Sequence, residues 1–365
     1  MLVHRPIFGL PSTFFAMQNQ PNSLPRQQRC LYKLASRLER HARQQDSELN
    51  EALALDIYSM CLRAMKTFSN DLKVQAYGSY LFCLLAALSD SVARVIAHGD
   101  GLHFAYAAMY KYPQSYALRV RLCSLIRNLT LKDEHHMVIV QSGGVRVLCD
   151  AMMAFPGDKF VQMEASDAMC TLSSNDKFPK FCAEIARLGG VELVCRAMER
   201  FPHESSVQEA GCCLIHNMVL AGNPKYRELV VRAGGIQLLV NAMALFSTNS
   251  NIQSAGCTAL SKFSLETEVS HLIIEAGGIP AIVHAMKVCV IDESVQKYGC
   301  SALHSWLSSE NVEQHGKPST QEMIEAARAA MRIHPTQNDV WRHACAVLIC
   351  LEVPRNRHVI AAPCA

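Results

Sequence analysis

The stretch Ala-Gly-Gly-Ile-Gln-Leu-Leu-Val-Asn-Ala-Met, residues 233–243, decides the fold. It recurs, with drift, along most of the chain. An Ala-Met pair falls at Ala64-Met65, Ala108-Met109, Ala151-Met152, Ala197-Met198, Ala242-Met243, Ala285-Met286 and Ala330-Met331. Successive Met residues stand 44, 43, 46, 45, 43 and 45 positions apart. Self-similarity at such a period marks a repeat architecture and outranks any local motif.

Two further columns keep phase with the Met. Nine residues after it come Val74, Leu118, Val161, Val207, Ile252, Val295 and Val340. Seventeen after it come Phe82, Ile126, Met169, Ile215, Leu260, Leu303 and Leu348. No copy needs a gap over this span, so the length variation lies between one copy's last helix and the next Met. Ile236, Leu239, Val240 and Met243 repeat at i, i+3, i+4, i+7, and Ile252, Ala255, Gly256, Ala259, Leu260 and Phe263 form a second such stripe. Each stripe is one apolar face of a helix. A shorter apolar run, such as Leu229-Val230-Val231, precedes the glycine pairs Gly143-Gly144, Gly189-Gly190, Gly234-Gly235 and Gly277-Gly278. The first glycine can close a helix in the left-handed conformation, and the second lets the backbone turn sharply. Each unit reads as short helix, Gly turn, helix, polar loop, longer helix. Pro156, Pro202 and Pro335 mark the polar loop, where proline cannot continue a helix.

Three helices in such a period resemble armadillo repeats. The resemblance rests on Ile-Glu-Ala-Gly-Gly-Ile-Pro-Ala-Ile-Val (274–283) followed by Val-Gln-Lys-Tyr-Gly-Cys-Ser-Ala-Leu (295–303), and on seven copies in phase. It implies an all-α, right-handed α-solenoid of about seven three-helix repeats. The expected organisation is a flexible N-terminal arm over 1–25, a capping helix region over 26–49, the solenoid over 50–353 and a tail over 354–365. Four prolines and no steady period set the arm apart. The basic helix 27–43 carries Leu31, Leu34 and Leu38 on one side, as a polar terminal cap requires.

Composition narrows the function. Of 365 residues, 50% are hydrophobic, enough for a continuous core. The net charge of +3, from 35 basic and 32 acidic residues, predicts no specific nucleic-acid binding and no general attraction to membranes. No apolar run approaches the roughly 18–20 residues of a spanning helix. Among the 16 cysteines, Cys123, Cys212, Cys257, Cys300 and Cys345 share one column, fourteen after the Met, where the other copies have Ser79 and Ser166. That is a small buried helix position, which free Cys fills as a compact hydrophobe. There is no C-x-x-C pair and no His pair at zinc spacing, so no metal and no disulfide framework is expected. Unpaired thiols in this number favour a reducing compartment, read as cytoplasmic with the nucleus as a second location.

No phosphate-binding loop, nucleophile elbow or zinc-protease motif is present. Glu164 and Asp167 lie three apart on one helix face, as paired carboxylates would, but no substrate cleft is declared. The expectation is no enzyme, no catalytic residue and no cofactor.

In armadillo proteins the third helix of each unit lines a concave groove in which extended peptides lie. The resemblance therefore points to four columns. Twelve after the Met stand Tyr77, Arg121, Glu164 and Tyr298. Fifteen after it stand Tyr80 and Asp167, and eighteen after it Arg127, His216 and His304. Nineteen after it, where peptide-binding members have a backbone-clamping Asn, stand Asn128, Asn217 and Lys262. The regular Trp–Asn ladder of those members is absent. The expected function is a scaffold or adaptor that binds a protein or extended peptide segment. A nuclear-transport-type peptide adaptor, or a regulatory segment of a larger protein, is the alternative. Arg121 and Arg127 are expected to face acidic partner groups, and Glu164 and Asp167 basic ones.

Overall fold

The structure is a computed structural model and describes residues 10–44, 50–174, 180–265, 267–308 and 320–352. Every regular element among them is an α-helix. The chain divides into two compact units, Met1–Val194 and Cys195–Ala365.

The first unit opens with α1 (Leu10–Asn19) and α2 (Leu24–Gln44), then α3 (Glu51–Thr67) and α4 (Leu72–Leu88). Two three-helix sets follow. They are α5 (Asp90–His98), α6 (Asp100–Lys111) and α7 (Tyr116–Thr130), and α8 (Asp133–Gln141), α9 (Gly144–Ala154) and α10 (Lys159–Ser173). After α11 (Lys180–Arg187), α12 (Gly190–Arg200) leads into the second unit. There α13 (Ser205–Leu220) precedes α14 (Pro224–Arg232), α15 (Gly235–Leu245) and α16 (Ser250–Phe263), then α17 (Thr267–Glu275), α18 (Gly278–Val288) and α19 (Glu293–Ser308). The last pair is α20 (Thr320–Ile333) and α21 (Asn338–Glu352). The third helices pack in succession: α2, α4, α7 and α10 in the first unit, α13, α16, α19 and α21 in the second.

The glycine pairs divide two tasks. Gly143 (φ 90°) and Gly234 (φ 73°) take the left-handed conformation that ends a first helix. The next glycine permits close approach: a Cβ on Gly235 would overlap Val230. The first and second helices consequently meet at bends of 72°, 69° and 67° at the pairs α8/α9, α14/α15 and α17/α18.

Six of the seven repeated Met residues, from Met65 to Met286, are at most 2% exposed. Met331, in the last pair, is only half-buried. The buried ones point at the third helix of their own unit, and four copies make room there with glycine thirteen residues on: Gly78, Gly211, Gly256 and Gly299. A Cβ at Gly256 would overlap the Met243 sulfur. The thiol column behaves as expected in the centre, with Cys123, Cys212, Cys257 and Cys300 at 0% exposure. Cys345 in α21 is half-buried.

One device escaped the sequence reading. Gln253, fully buried at the first turn of α16, donates its side-chain amide to the Met243 carbonyl at 2.7 Å and to the Phe246 carbonyl at 3.1 Å. These acceptors lie at the C-terminal end of α15, where a helix leaves carbonyls without intrahelical donors. Gln75, Gln162, Gln208 and Gln296 repeat the same pair of bonds in their own copies. In the second copy Arg119 stands in and donates to the Pro113 carbonyl at 3.2 and 3.0 Å.

The same bonds correct the reading of the first residues. Where a flexible arm was expected over 1–25, α1 forms and presents Ala16-Met17, with Met17 3% exposed. Gln27, ten residues after Met17, donates to the Met17 and Gln20 carbonyls, both at 3.0 Å. The pair α1/α2 thus repeats the second-and-third-helix arrangement of later copies, and α2 is a third helix rather than a separate cap. Residues 1–9, most of the polar stretch 309–320 and the tail 354–365 lie outside the described residues.

Candidate functional site

The first unit's third helices bring Tyr77, Tyr80, Arg121, Arg127, Asn128, Glu164 and Asp167 onto one face, all of them half-buried. Register explains it: columns twelve, fifteen, eighteen and nineteen after the Met fall on one side of a 3.6-residue helix.

Their pairing differs from the expectation. Arg127 Nε donates to Asp167 at 2.6 Å and stands 3.7 Å from a Glu164 oxygen. Burial works against the Arg127 charge, but the hydrogen bond to Asp167 and the charge of Glu164 outweigh it and hold its pKa above the ordinary value. Burial raises the Glu164 carboxyl, against the pull of Arg127 and a hydrogen bond from Ser124. The acidic zone expected to face a partner therefore faces Arg127, one of the two cations of the positive zone. The spacing of one repeat that separates them in sequence is the distance between adjacent third helices. Asn128 is also engaged: its amide donates to the Cys83 carbonyl at 3.1 Å, so it is not free to clamp a peptide backbone.

Arg121 is different. Its guanidinium lies 4.5 Å from the Tyr80 ring centroid and 6.0 Å from that of Tyr77, and Nη1 donates to the Ala76 carbonyl at 2.8 Å. No ion pair holds it among the described residues. Tyr77 in turn packs on Tyr32 of α2, with ring centroids 5.5 Å apart. Tyr80 has its hydroxyl pKa pushed up to about 12, by burial first and then by a hydrogen bond to Glu39. Tyr32 was not among the sequence candidates. Counting fifteen from Met17 would have found it, had α1 been recognised as a copy.

In the second unit the candidates are spread more thinly. His216 and His304 are half-buried with burial-depressed pKa values, and Asn217 hydrogen-bonds to His216. Lys262 is exposed. Tyr298 lies under Lys297, whose Nζ sits 5.5 Å from the ring centroid and 2.5 Å from Asp339. His304 and His343 line an open cleft of about 460 Å³ with Ser264, Ser301 and Ser305. No group of three or more metal-ligating side chains occurs among the described residues.

The family model described as the LRRK2 ARM repeat matches residues 188–277. A solved structure described as the phosphorylation-switched interaction between cadherin and beta-catenin is 13% identical, with a TM-score of 0.64 over 96% of this chain and 79% of that one. The chain has the fold of an armadillo-repeat solenoid. A crystal structure of an engineered protein is 19% identical, with a TM-score of 0.46, and covers 72% of this chain and 98% of its own. No curated protein sequence matches the chain. Among the described residues, no single helix is long and apolar enough to cross a membrane.

Proposed function

We propose that this armadillo solenoid is a non-enzymatic scaffold that binds an extended segment of a partner protein along its third-helix face. The observation that carries the reading is the row Tyr32, Tyr77, Tyr80 and Arg121. These are large, half-exposed side chains held in place by one another rather than by a core. Tyr and Arg supply contact area at low entropic cost when they are already positioned, and they dominate binding hot spots. The fold's beta-catenin relative is described in an interaction with cadherin, which supports a protein partner as a class. Buried, protonated thiols fit a reducing compartment, cytoplasmic or nuclear.

A photo-crosslinking amino acid at Tyr77 or Tyr298 tests the reading, with one at Val95, an exposed residue of the first helix α5, as control. Crosslinks to a partner segment are expected from the third-helix positions. A partner that crosslinks from Val95 alone would move the binding surface off this face.

A further inference from the structure

The charge of this protein is unevenly placed. The helices α2, α4 and α7 together hold ten cationic side chains and one carboxylate, Glu39. The whole chain nets only +3. Glu39 is itself engaged, with Arg43 at 2.5 Å and with the Tyr80 hydroxyl. In α10, the next third helix, the carboxylates of Glu164 and Asp167 meet Arg127 and the excess of positive charge ends.

Within this band, α2 carries cations where later third helices carry core. Nine, sixteen and twenty residues after the Met, α4 has Val74, Leu81 and Leu85, and α7 has Leu118, Leu125 and Leu129, all fully buried. The same columns in α2 hold Arg26, Lys33 and Arg37. Arg37 donates to Thr13, whereas Arg26 and Lys33 are exposed, and among the described residues they have no partner. Arg29, in the groove column twelve after Met17, is likewise exposed, with no partner among the described residues. From there the face continues through Tyr32 and Tyr77 to Arg121, a half-desolvated cation held by two rings and one carbonyl, with Glu39 as the neighbouring carboxylate but no ion pair among the described residues. A cation stripped of part of its water gains more from an anion than a fully hydrated one does.

We infer that the face running from Arg29, flanked by Lys33 at its edge, to Arg121 docks an acidic segment of a partner protein, rich in Asp and Glu. The inference rests on the scaffold reading and gives that partner its chemistry. Third helices packed roughly 10 Å apart make the band about 20–30 Å long, the reach of about eight extended residues. A longer polyanion would run onto Glu164 and Asp167. Arg121 also lies over the Tyr80 ring, which takes that face from base stacking. The shortness of the band favours a short acidic peptide over a nucleic acid.

Fluorescence anisotropy on the intact chain tests this with a labelled peptide of about ten residues alternating Glu and Ala. Its Gln/Ala counterpart, a mixed-sequence single-stranded RNA and vesicles containing phosphatidylserine serve as comparisons. The acidic peptide should bind, the Gln peptide should not, and affinity should fall as salt rises. Arg29→Glu with Lys33→Glu should weaken binding at least tenfold, and Arg121→Gln should do the same alone. The α2 variants sit on exposed positions, so an unchanged melting curve certifies their fold. No binding of the acidic peptide, tighter binding of RNA or vesicles, or indifference to the α2 reversals each overturns the proposal. If those results appear while crosslinks from Tyr77 persist, the scaffold reading stands and only the acidic partner fails. If the crosslinks vanish too, both fail.

Discussion

Arg127 of α7 and Asp167 of α10 form a 2.6 Å ion pair between adjacent third helices. The Arg127 charge is thus answered within the protein. Both side chains are more than a third exposed, at 39% and 42%, so the pair is worth little. Arg127→Gln should cost less than about 1 kcal/mol in denaturant unfolding. Arg127→Glu is another matter, because it sets three carboxylates together around Glu164, whose carboxyl burial already raises. A carboxyl with a raised folded pKa binds more protons folded than unfolded, so its stabilising contribution is present below its ordinary value of 4.5 and lost as pH rises past it. The stability deficit of Arg127→Glu should be larger at pH 7 than at pH 4. An equal deficit at both would place Glu164 away from the substituted side chain.

Gln253→Leu removes both donors to the end of α15 while keeping the site apolar and filled. The buried Met243 carbonyl then loses its side-chain donor, while the half-buried Phe246 carbonyl keeps the Asn249 N–H. The expected loss is about 1–3 kcal/mol, the cost of leaving a buried polar group unsatisfied. Hydrogen exchange should localise it to α15, α16 and their immediate neighbours, because each repeat touches only the next. A protein with wild-type unfolding would remove the Gln bridge from the list of stabilising contacts.

Met243 and Gly256 should show strong coupling. Met243→Ala opens a cavity and should cost about 2–5 kcal/mol. Gly256→Ala drives a methyl into the Met243 sulfur and should cost about 1–3 kcal/mol by overpacking. Together the two changes relieve each other, so the double variant should be more stable than the sum of the singles predicts. Additivity within about 0.5 kcal/mol would show that the two groups do not meet.

The thiol column predicts both reactivity and pH dependence. Burial pushes the Cys123 and Cys300 thiols from 9.0 to about 12. Cys257 moves in the same direction and is fully buried. Native-state alkylation near pH 8 should spare these residues and label Cys213, which is half-buried one position on from Cys212. The folded thiols keep their protons between pH 9 and about 12 while the unfolded ones release them. Stability should therefore be intact below pH 9 and fall as pH climbs through that window. Replacing Cys300 with Ala should flatten part of that decline in urea unfolding followed against pH.

The sequence disclosed the second and third helices of seven copies because their apolar stripes keep one phase against the Met. The Met243 and Cys257 columns could be read that way. Ala16-Met17 was hidden for a physical reason. Its copy carries Arg26 where the others have an aliphatic residue, so the phase signal fails there. Pro11 and Pro25, two of the four prolines that set the expected arm apart, stand second in α1 and α2, where a missing N–H costs nothing. The groove side chains were placed on the right face by counting, but their partners were not legible. Whether Arg127 meets Asp167 depends on how two helices forty residues apart lie against each other, which periodicity within one helix does not encode.

The Gln bridge has a consequence for how such a chain can diversify. In six copies it ties the end of the second helix to the start of the third from the inside. The turn is then held without help from its tip: Pro156-Gly157, Pro202-His203 and Thr248 are exposed, and no two are alike. Asp71, Asp158, Asn249 and Asp292 close the other side by accepting from the backbone of the third helix. Between those two anchors the tip is under little structural selection. This rim is the place where residues can be inserted, or a recognition loop grafted, with the helices on either side left undisturbed.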